Sequence, residues 1–434
     1  MEGKSPAAPA PDADYFRLRT EWLRFKGHLF DALTGLPALP AVMEDIRRLL
    51  ETQRALEVLY VDLGRSGWHE TKLGWAAYDK ALKTFASILR VLRDRGVLLA
   101  DDIACLHTVR SDRFLIFLGG GEQRLSGAVT RRERILAELQ SALRTSPRDT
   151  GLRAIRLAVG HSEVSEHPMA RSERGVQQAV SDAILMSLKA REGIEAARHA
   201  ELSRLIAEGG VRTVFHPIVS LADRRGIGHE ALTRVVRATS FDSVEELFAF
   251  AESTDLLVDF ERLCRAVAVR TSSGLERRGL LFLNASAPAV LDPEWFSGAM
   301  EALLGKSGMT PRDVVVEITE RLAVGSHHGF QGALRKLKER GYGVAVDDMG
   351  AGHASLQALA SIEPDFLKFD VSLVRDIDKS SIKRSLLETL RGLAEKMRAR
   401  VIAEGIEREG ERATLESLGI ELGQGFLFHS EETA

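Results

Sequence analysis

The stretch VAVDDMGAG, residues 344–352, places two consecutive aspartates directly after a short run of apolar residues. A run this short, with no polar residue inside it, is typical of a strand buried on both faces of a parallel sheet. Other apolar runs between Thr213 and Phe428 also lead into polar or acidic residues: TVFHPIVSL (213–221) with GHEALTR (228–234), LLFLNASA (280–287), VVVEITER (314–321), FLKFD (366–370), VIAEGIE (401–407) and LGQGFLF (422–428).

These runs alternate with stretches of helical periodicity, such as 330–340 and 382–398. The alternation predicts a parallel α/β layout. In a parallel β/α barrel the carboxyl ends of the strands converge on one face, so the polar residues at those ends would meet in a single pocket. A cluster made mostly of carboxylate oxygens is what Mg²⁺ or Mn²⁺ requires. The sequence therefore predicts a barrel with a divalent-metal site.

The same motifs resemble those of the EAL family of cyclic di-GMP phosphodiesterases, from about Leu202 to about Phe428. The tripeptide that names the family stands at 230–232, the family's DDFGTG loop is similar to DDMGAG, and its AEGVE segment is similar to AEGIE. The resemblance implies a (β/α)8 TIM-like barrel over residues 202–434. It also implies that two Mg²⁺ or Mn²⁺ ions support hydrolysis of cyclic di-GMP to linear pGpG.

The resemblance assigns roles to individual residues. The implied metal ligands are Glu230, Asn284, Glu317, Asp347 and Asp348. The implied catalytic residues are Lys368, which orients the attacking water or stabilises the phosphate, Glu404, which is a general base or a further metal ligand, and Gln424, which positions water. The implied substrate contacts are Arg234, which grips a phosphate oxygen, with Leu232, His216 and Asp370. The residues expected to support the DDMGAG loop are Glu320, Gly350 and Gly352.

Some positions depart from the family pattern. His216 stands where Gln is common, and Met349, Ala351 and His353 replace the usual Phe, Thr and Tyr of the loop. These changes leave a second hypothesis open, a non-catalytic cyclic di-GMP receptor that signals through a protein partner. A third is a structural role, with the domains as dimerisation surfaces. The complete acidic set favours the enzyme, because a receptor or a structural module has no need of it.

DALTGLP (31–37) and the spacing of Asp62, Gly74 and Asp79 are similar to motifs of the GGDEF diguanylate cyclase family, but RSDRF (110–114) stands in place of the family's signature. Residues 31–192 therefore resemble a degenerate GGDEF domain. Arg113 replaces an acid expected to bind metal, and Gly64, Glu70 and Thr71 replace metal and guanine contacts. The predicted elements are helices at 38–54, 75–95, 131–144 and 176–192, and strands at 58–63, 113–118 and 155–160. We expect a folded domain that makes no cyclic di-GMP and regulates the barrel, in a homodimer.

The remaining segments are predicted to be a disordered tail and N-terminal helix (1–30) and a helical connector (193–201). Lys plus Arg (59) nearly balance Asp plus Glu (62), so charge predicts neither a nucleic-acid nor a membrane partner. No stretch approaches the ~20 apolar residues of a membrane span. The only cysteines are Cys105 and Cys264, which is typical of the reducing cytosol, and we expect a cytoplasmic protein.

Overall fold

The computed structural model describes residues 22, 25, 27, 29–63, 74–119, 130–147, 150–152, 155–167, 169–275, 279–319, 329–350, 359 and 361–429. The chain divides into two compact units, Met1–Arg198 and His199–Ala434. The predicted fold class is confirmed: an α/β sheet domain comes first and a closed barrel follows it. The predicted tail and the loop positions 64, 70 and 71 lie outside the described residues.

The first unit contains a four-stranded sheet and helices on both of its faces. The elements are α1 (Leu39–Gln53), β1 (Ala55–Asp62), α2 (Trp75–Asp94), β2 (Ile103–Leu106), β3 (Arg113–Leu118), α3 (Arg131–Arg144), β4 (Val159–Ser165) and α4 (Ser172–Glu208), whose last turns belong to the second unit. The strand order is β2-β3-β1-β4, and all three pairings are antiparallel.

Alternate side chains of β1 contribute to two apolar cores, one on each face of the sheet. Leu59 and Val61 pack with apolar residues of α2 and α3, whereas Val58 and Tyr60 pack with residues of α1 and α4. Successive strand side chains point to opposite faces, so one run of apolar residues serves both cores. A reciprocal capping box, in which Thr130 and Glu133 bond each other's backbone amides, starts α3 at the predicted residue.

The sequence prediction was wrong for the last strand of this sheet. The run IRLAVG predicted a strand at 155–160, but β4 spans Val159–Ser165 and pairs with β1 from Val61↔Val159 to Ala55↔Ser165. Gly160 in β4 allows α4 to pack closely on the strand, because a Cβ there would lie 1.7 Å from the carbonyl oxygen of Ala183 on α4. The close approach of this helix requires a residue without a side chain.

The second unit is a closed barrel of strands with helices between them. Its elements are β5 (Val211–Ser220), β6 (Gly226–Val235), α5 (Val244–Glu252), α6 (Leu257–Ser272), β7 (Leu280–Asn284), α7 (Ala287–Val290), α8 (Ala299–Lys306), β8 (Val314–Thr319), α9 (Phe330–Glu339), β9 (Gly343–Met349), β10 (Phe366–Phe369), α10 (Val371–Val374), α11 (Ser381–Met397), β11 (Arg400–Ala403), α12 (Glu409–Ser417) and β12 (Leu422–Gly423). Short 3₁₀ turns are Pro293–Phe296, Pro311–Asp313 and Ile377–Lys379.

The barrel is not fully parallel, so the predicted parallel layout is wrong for its first strand. Strand β5 pairs antiparallel with both β6 and β12, while the pairs from β6 through β12 are parallel. The physical reason is the connection: only five residues, 221–225, separate β5 from β6. A link this short allows a hairpin, whereas a parallel pair needs a crossover of a dozen or more residues.

The barrel interior is filled by one apolar layer contributed by its strands. That layer consists of Ile218, Phe282, Val315, Ala345, Phe366, Ile402 and Leu422. The strand residues of opposite parity face outward and pack with the surrounding helices in the largest apolar cluster. Within the part of the chain that the structure describes, no helix combines the length and apolarity needed to cross a bilayer.

Candidate metal centre inside the barrel

The candidate site residues form a polar layer directly above the apolar inner layer. A position two residues beyond an inward-facing residue faces inward again. Two residues beyond the inner apolar layer along β7–β12 stand Asn284, Glu317, Asp347, Lys368, Glu404 and Gln424. Glu230 belongs to the same layer, because it is directly opposite His216 in the β5–β6 pair, and His216 lies two residues from Ile218 of the inner apolar layer. The site therefore continues the layered filling that is general in β/α barrels.

The position of these residues along the strands differs from the expectation. Glu230, Glu317, Asp347 and Lys368 lie within β6, β8, β9 and β10 rather than after them. The strand hydrogen bonding continues past the apolar run because the polar side chains of this layer contact one another instead of needing solvent.

Lys368 is the centre of the polar layer. Its side chain is fully buried, and Nζ lies 2.8 Å from Glu404 Oε1, 3.0 Å from Glu317 Oε1, 3.1 Å from Glu230 Oε2 and 3.4 Å from Asp347 Oδ1. A buried ammonium is costly unless it is paired. Here four carboxylates from four different strands or strand ends surround it.

Two amide side chains fix the carboxylates. Gln424 Nε2 donates hydrogen bonds to Glu230 Oε2 at 2.7 Å and to Glu404 Oε1 at 3.0 Å. Asn284 Nδ2 lies 3.3 Å from Glu230 Oε1 and donates to it. Both oxygens of Glu230 therefore accept amide hydrogen bonds, and its carboxylate has one defined orientation.

Burial and charge shift the pKa values of the layer in different directions. Burial is the main cause that raises the pKa of Glu317 well above its ordinary value, and it raises the pKa of Glu404 to about 8. Burial also acts on Glu230, but the Lys368 ammonium and the hydrogen bonds outweigh it and lower that pKa. Burial opposes the charge of Lys368, yet the surrounding carboxylates raise its pKa well above the usual value.

The donor set fits divalent cations. Carboxylate oxygens of Glu230, Glu317 and Asp347 lie within 4.8 Å of one another, and so do those of Asp347, Asp348 and Glu404. Asp347 is common to both groups. Glu317 Oε2 is buried and accepts no hydrogen bond from the described residues. The raised pKa values of Glu317 and Glu404 show that the buried layer does not tolerate four negative charges beside one ammonium, and oxygen-preferring cations that displace the protons would balance that charge.

Three of the expected substrate contacts face the same interior. Leu232 and Arg234 follow Glu230 at intervals of two along β6, so they stand on its inward face. His216 is opposite Glu230, and its ring centroid lies 5.8 Å from that of His429. Arg234 Nη1 donates to the carbonyl oxygen of Thr233 at 3.1 Å.

The fourth expected contact has a local structural partner. Asp370 follows β10 and caps α10, because its Oδ1 accepts the Ser372 N–H at 2.9 Å. One oxygen of the Asp370 carboxylate is therefore engaged in an N-cap hydrogen bond of the usual kind. The motif residue therefore begins the next helix.

The described part of the DDMGAG loop is tightly packed. Gly350 has φ +108°, and a Cβ there would lie 2.3 Å from Leu373 Cδ1 of α10. Only glycine allows both the backbone conformation and this approach. Asp348, two residues earlier, also has a positive φ of 60°. The other expected loop supports, Glu320 and Gly352, lie outside the described residues.

A supporting carboxylate was missed in the sequence. Glu261 on α6 is buried, and its two oxygens accept the Ser286 N–H at 3.2 and 3.3 Å. Burial is the main cause that raises the pKa of Glu261 to about 7. The neighbouring Ala285 N–H donates to the Glu317 carbonyl oxygen at 2.9 Å, so the segment after Asn284 is held on two sides. The available signal was an acid on the apolar face of an amphipathic helix.

Fold and site together define a β/α barrel protein in which a lysine is surrounded by acidic side chains, and in which the possible metal ligands are all oxygen atoms. Residues 199–431 match the model of the EAL domain. Because this match covers more than half of the 434 residues, the protein belongs to the EAL domain family.

Individual relatives are distant. The uncharacterized protein Rv1354c of Mycobacterium tuberculosis is 26% identical over 421 residues, which cover 92% of this chain and 65% of that protein. The cyclic di-GMP phosphodiesterase PdeR of Escherichia coli is 31% identical over 188 residues, 42% of this chain and 28% of PdeR. The chain thus spans just under two thirds of the mycobacterial relative and a smaller part of PdeR.

One solved structure shows the shared fold. The EAL enzyme Bd1971 in its cAMP-bound form matches with a TM-score of 0.50 and 21% identity, over 74% of this chain and 79% of that one. At this identity the likeness concerns the fold alone.

Proposed function

We propose that this protein hydrolyses cyclic di-GMP to linear pGpG with two divalent cations, Mg²⁺ or Mn²⁺. The observation that carries the proposal is the buried layer in which Lys368 Nζ lies within 3.4 Å of four carboxylates. Membership in the EAL domain family and the activity named for the relative PdeR support the choice of substrate.

The residues that would hold the cations divide into two sets sharing one member. Glu230, Asn284, Glu317 and Asp347 would hold the first ion, and Asp347 with Asp348 the second. The carboxylate groupings, which both contain Asp347, support this division. Bound cations of this kind neutralise charge on the phosphodiester and lower the pKa of the attacking water.

The chain's own residues supply orientation and charge. Lys368 remains an ammonium because the carboxylates around it raise its pKa, and it stabilises charge that develops on the phosphate oxygens. Gln424 holds Glu404 in place with its 3.0 Å hydrogen bond. Glu404 then takes the proton of the attacking water or adds a third carboxylate to the second ion. Arg234, on the inward face of β6, holds a substrate phosphate oxygen through its forked donors.

The test is conversion of cyclic di-GMP to pGpG by the purified full chain, followed by chromatography, with Mg²⁺ or Mn²⁺ present. Glu230→Ala, Asp347→Ala and Glu404→Ala should each remove most of the turnover, because such a site acts as a unit. Glu421→Ala is a matched control, since its exposed carboxylate stands before β12 rather than beyond it. Full turnover by all three site variants contradicts the proposal. Binding of cyclic di-GMP without turnover by the wild type favours the receptor alternative.

We further propose that residues 31–192 are a degenerate GGDEF-like domain without cyclase activity. Arg113 Nε lies 3.6 Å from Asp62 Oδ2, so the arginine at the position of an expected metal-binding acid neutralises a second one. Arg110 has φ 58°, a conformation that glycine adopts freely, which supports descent from a glycine-bearing turn. Incubation with GTP and Mg²⁺ should yield no cyclic di-GMP, and detectable product would contradict this proposal.

The regulatory part of the proposal concerns assembly. The GGDEF-like domain positions the barrels in a cytoplasmic homodimer and transmits a signal from a protein partner. The support is that the domain keeps two well-packed apolar cores although its nucleotide-contacting residues are replaced. A folded domain that no longer catalyses a reaction can still form dimer contacts and transmit a signal to the barrel.

A further inference from the structure

A second arginine stands beside Arg234 at the mouth of the barrel. In the β5–β6 pair Arg212 is directly opposite Arg234, four residues from the His216–Glu230 pair. Directly opposite residues of an antiparallel pair share a face. Ile218 belongs to the inner apolar layer, and the pairing from His216 to Arg212 is regular, so Arg212 is on the interior face. Both arginines therefore stand on the face of the β5–β6 pair that carries Glu230, farther along the pair than the acidic layer.

Arg234 interacts electrostatically with the carboxylate of Glu245, whereas Arg212 has no counter-charge among the described residues. The Arg212 side chain is exposed and forms no ion pair or hydrogen bond with the described residues. Other exposed arginines of the barrel, such as Arg224 and Arg375, contact a carboxylate at 2.8 Å. Like charges directly opposite each other destabilise a strand pair. An anion bound between Arg212 and Arg234 would attract both guanidinium groups and outweigh their mutual repulsion.

The spacing suits a ligand with two phosphates. Arg234 lies four residues beyond Glu230, which corresponds to about 13 Å along the strand, and the long arginine side chain can reach back over part of this distance toward the second phosphate of the same ring. A substrate phosphate at the acidic layer is neutralised by the cations held there, whereas a second phosphate nearer the mouth needs a different source of positive charge. Guanidinium groups provide it, because their planar donors match phosphate oxygens.

We propose that Arg212 and Arg234 form a phosphate subsite at the barrel mouth, and that Arg212 binds the cyclic di-GMP phosphate that is not cleaved. The inference rests on the proposed function and adds a substrate-binding residue that the sequence motifs do not include. Arg212 contributes to affinity and not to the chemical step, because the phosphate it contacts does not react.

The experiment compares Arg212→Ala, Arg212→Lys and the control Arg225→Ala in the full chain. Arg225 also lies in the β5–β6 hairpin but stands at the turn, at the opposite end from Arg212. Turnover is measured with Mg²⁺, and binding of cyclic di-GMP is measured by calorimetry with Ca²⁺ in its place. Arg212→Ala should raise KM and Kd about tenfold, with kcat within about twofold of wild type, because a charge-assisted hydrogen bond is lost from binding only. Arg212→Lys should recover part of the affinity, and Arg225→Ala should match wild type.

The outcomes separate this inference from the proposed function. If wild type binds cyclic di-GMP while Arg212→Ala keeps the same Kd and KM, the subsite is refuted and the proposed function stands. An equal loss in Arg225→Ala also refutes it, because the effect would then be general electrostatic attraction. If the wild type does not bind cyclic di-GMP at all, both proposals fail. Circular dichroism checks that each variant is folded, and Arg212→Gln serves as a second variant if the alanine variant is not.

Discussion

Replacing Lys368 by methionine tests whether the lysine holds the acidic layer together. The substitution keeps a long side chain but removes the charge from a fully buried position within 3.4 Å of Glu230, Glu317, Asp347 and Glu404. Removing one partner of a buried ion pair costs about 3–5 kcal/mol, because the other charge remains buried without compensation. Four carboxylates remain here, so we expect at least that loss in the free energy of unfolding without metal.

The size of the loss should depend on pH. Burial raises the pKa of Glu317 and of Glu404 above the ordinary value, and the Lys368 ammonium opposes that rise, so removing the ammonium raises both pKa values further. A group whose folded pKa is raised contributes stability below the unfolded pKa and loses it as pH rises through the folded pKa. The difference between Lys368→Met and wild type should therefore be small at pH 5 and large at pH 8.

The assay is urea unfolding of the full chain in chelator, at pH 5 and pH 8, followed by tryptophan fluorescence. Of the four tryptophans in the chain, Trp295 is the one in the second unit; it is buried and donates its indole N–H to the Ala289 carbonyl oxygen, so it contributes the barrel's part of the signal. Lys396→Met, which removes an exposed lysine of α11, is the control and should match wild type. Equal stability of Lys368→Met and the control at pH 8, or a loss independent of pH, would refute the reasoning.

Three further outcomes follow from the structure. In chelator the free energy of unfolding of the wild type should fall as pH rises from about 4.5 to about 8, because burial raises the pKa of Glu404 to about 8; a free energy of unfolding that does not change with pH would contradict this. Mn²⁺ at ~100 times its Kd should restore ~2.7 kcal/mol at pH 8, because it binds preferentially to the folded state. Arg265→Met should cost about 1–3 kcal/mol in urea unfolding, since its nearly buried Nη2 lies 3.0 Å from Asp292 Oδ2 and 2.6 Å from Glu294 Oε2, while Arg262 still pairs with Asp292 at 2.7 Å. No measurable loss would show that Arg262 alone compensates both acids. Deleting residues 1–195 should change turnover or the oligomeric state measured by light scattering while circular dichroism stays that of a folded barrel; identical values for both chains would contradict regulation by the first unit.

The local sequence was sufficient to locate most elements of the barrel. Short apolar runs predicted strands near β8, β9 and β10, and helical periodicity at 330–340 and 382–398 predicted α9 and α11 to within a residue at each end. These features are local, because the period of apolar residues reflects strand or helix geometry directly. The acidic residues that belong together were also identified, since carboxylates in buried runs are rare outside sites that compensate their charge.

Pairing partners could not be read from the same patterns. An apolar run does not indicate whether its strand is parallel or antiparallel to its neighbour, so the reversed direction of β5 and the true span of β4 emerged only in the folded chain. The contact of Lys368 with four carboxylates and the support of Ser286 by Glu261 depend on registers between elements far apart in sequence. The pairing of Arg212 with Arg234 has the same origin. The sequence by itself determined which residues are candidates for the chemistry, and the tertiary structure decided which of them meet, because strand register is set by long-range packing rather than by neighbours along the chain.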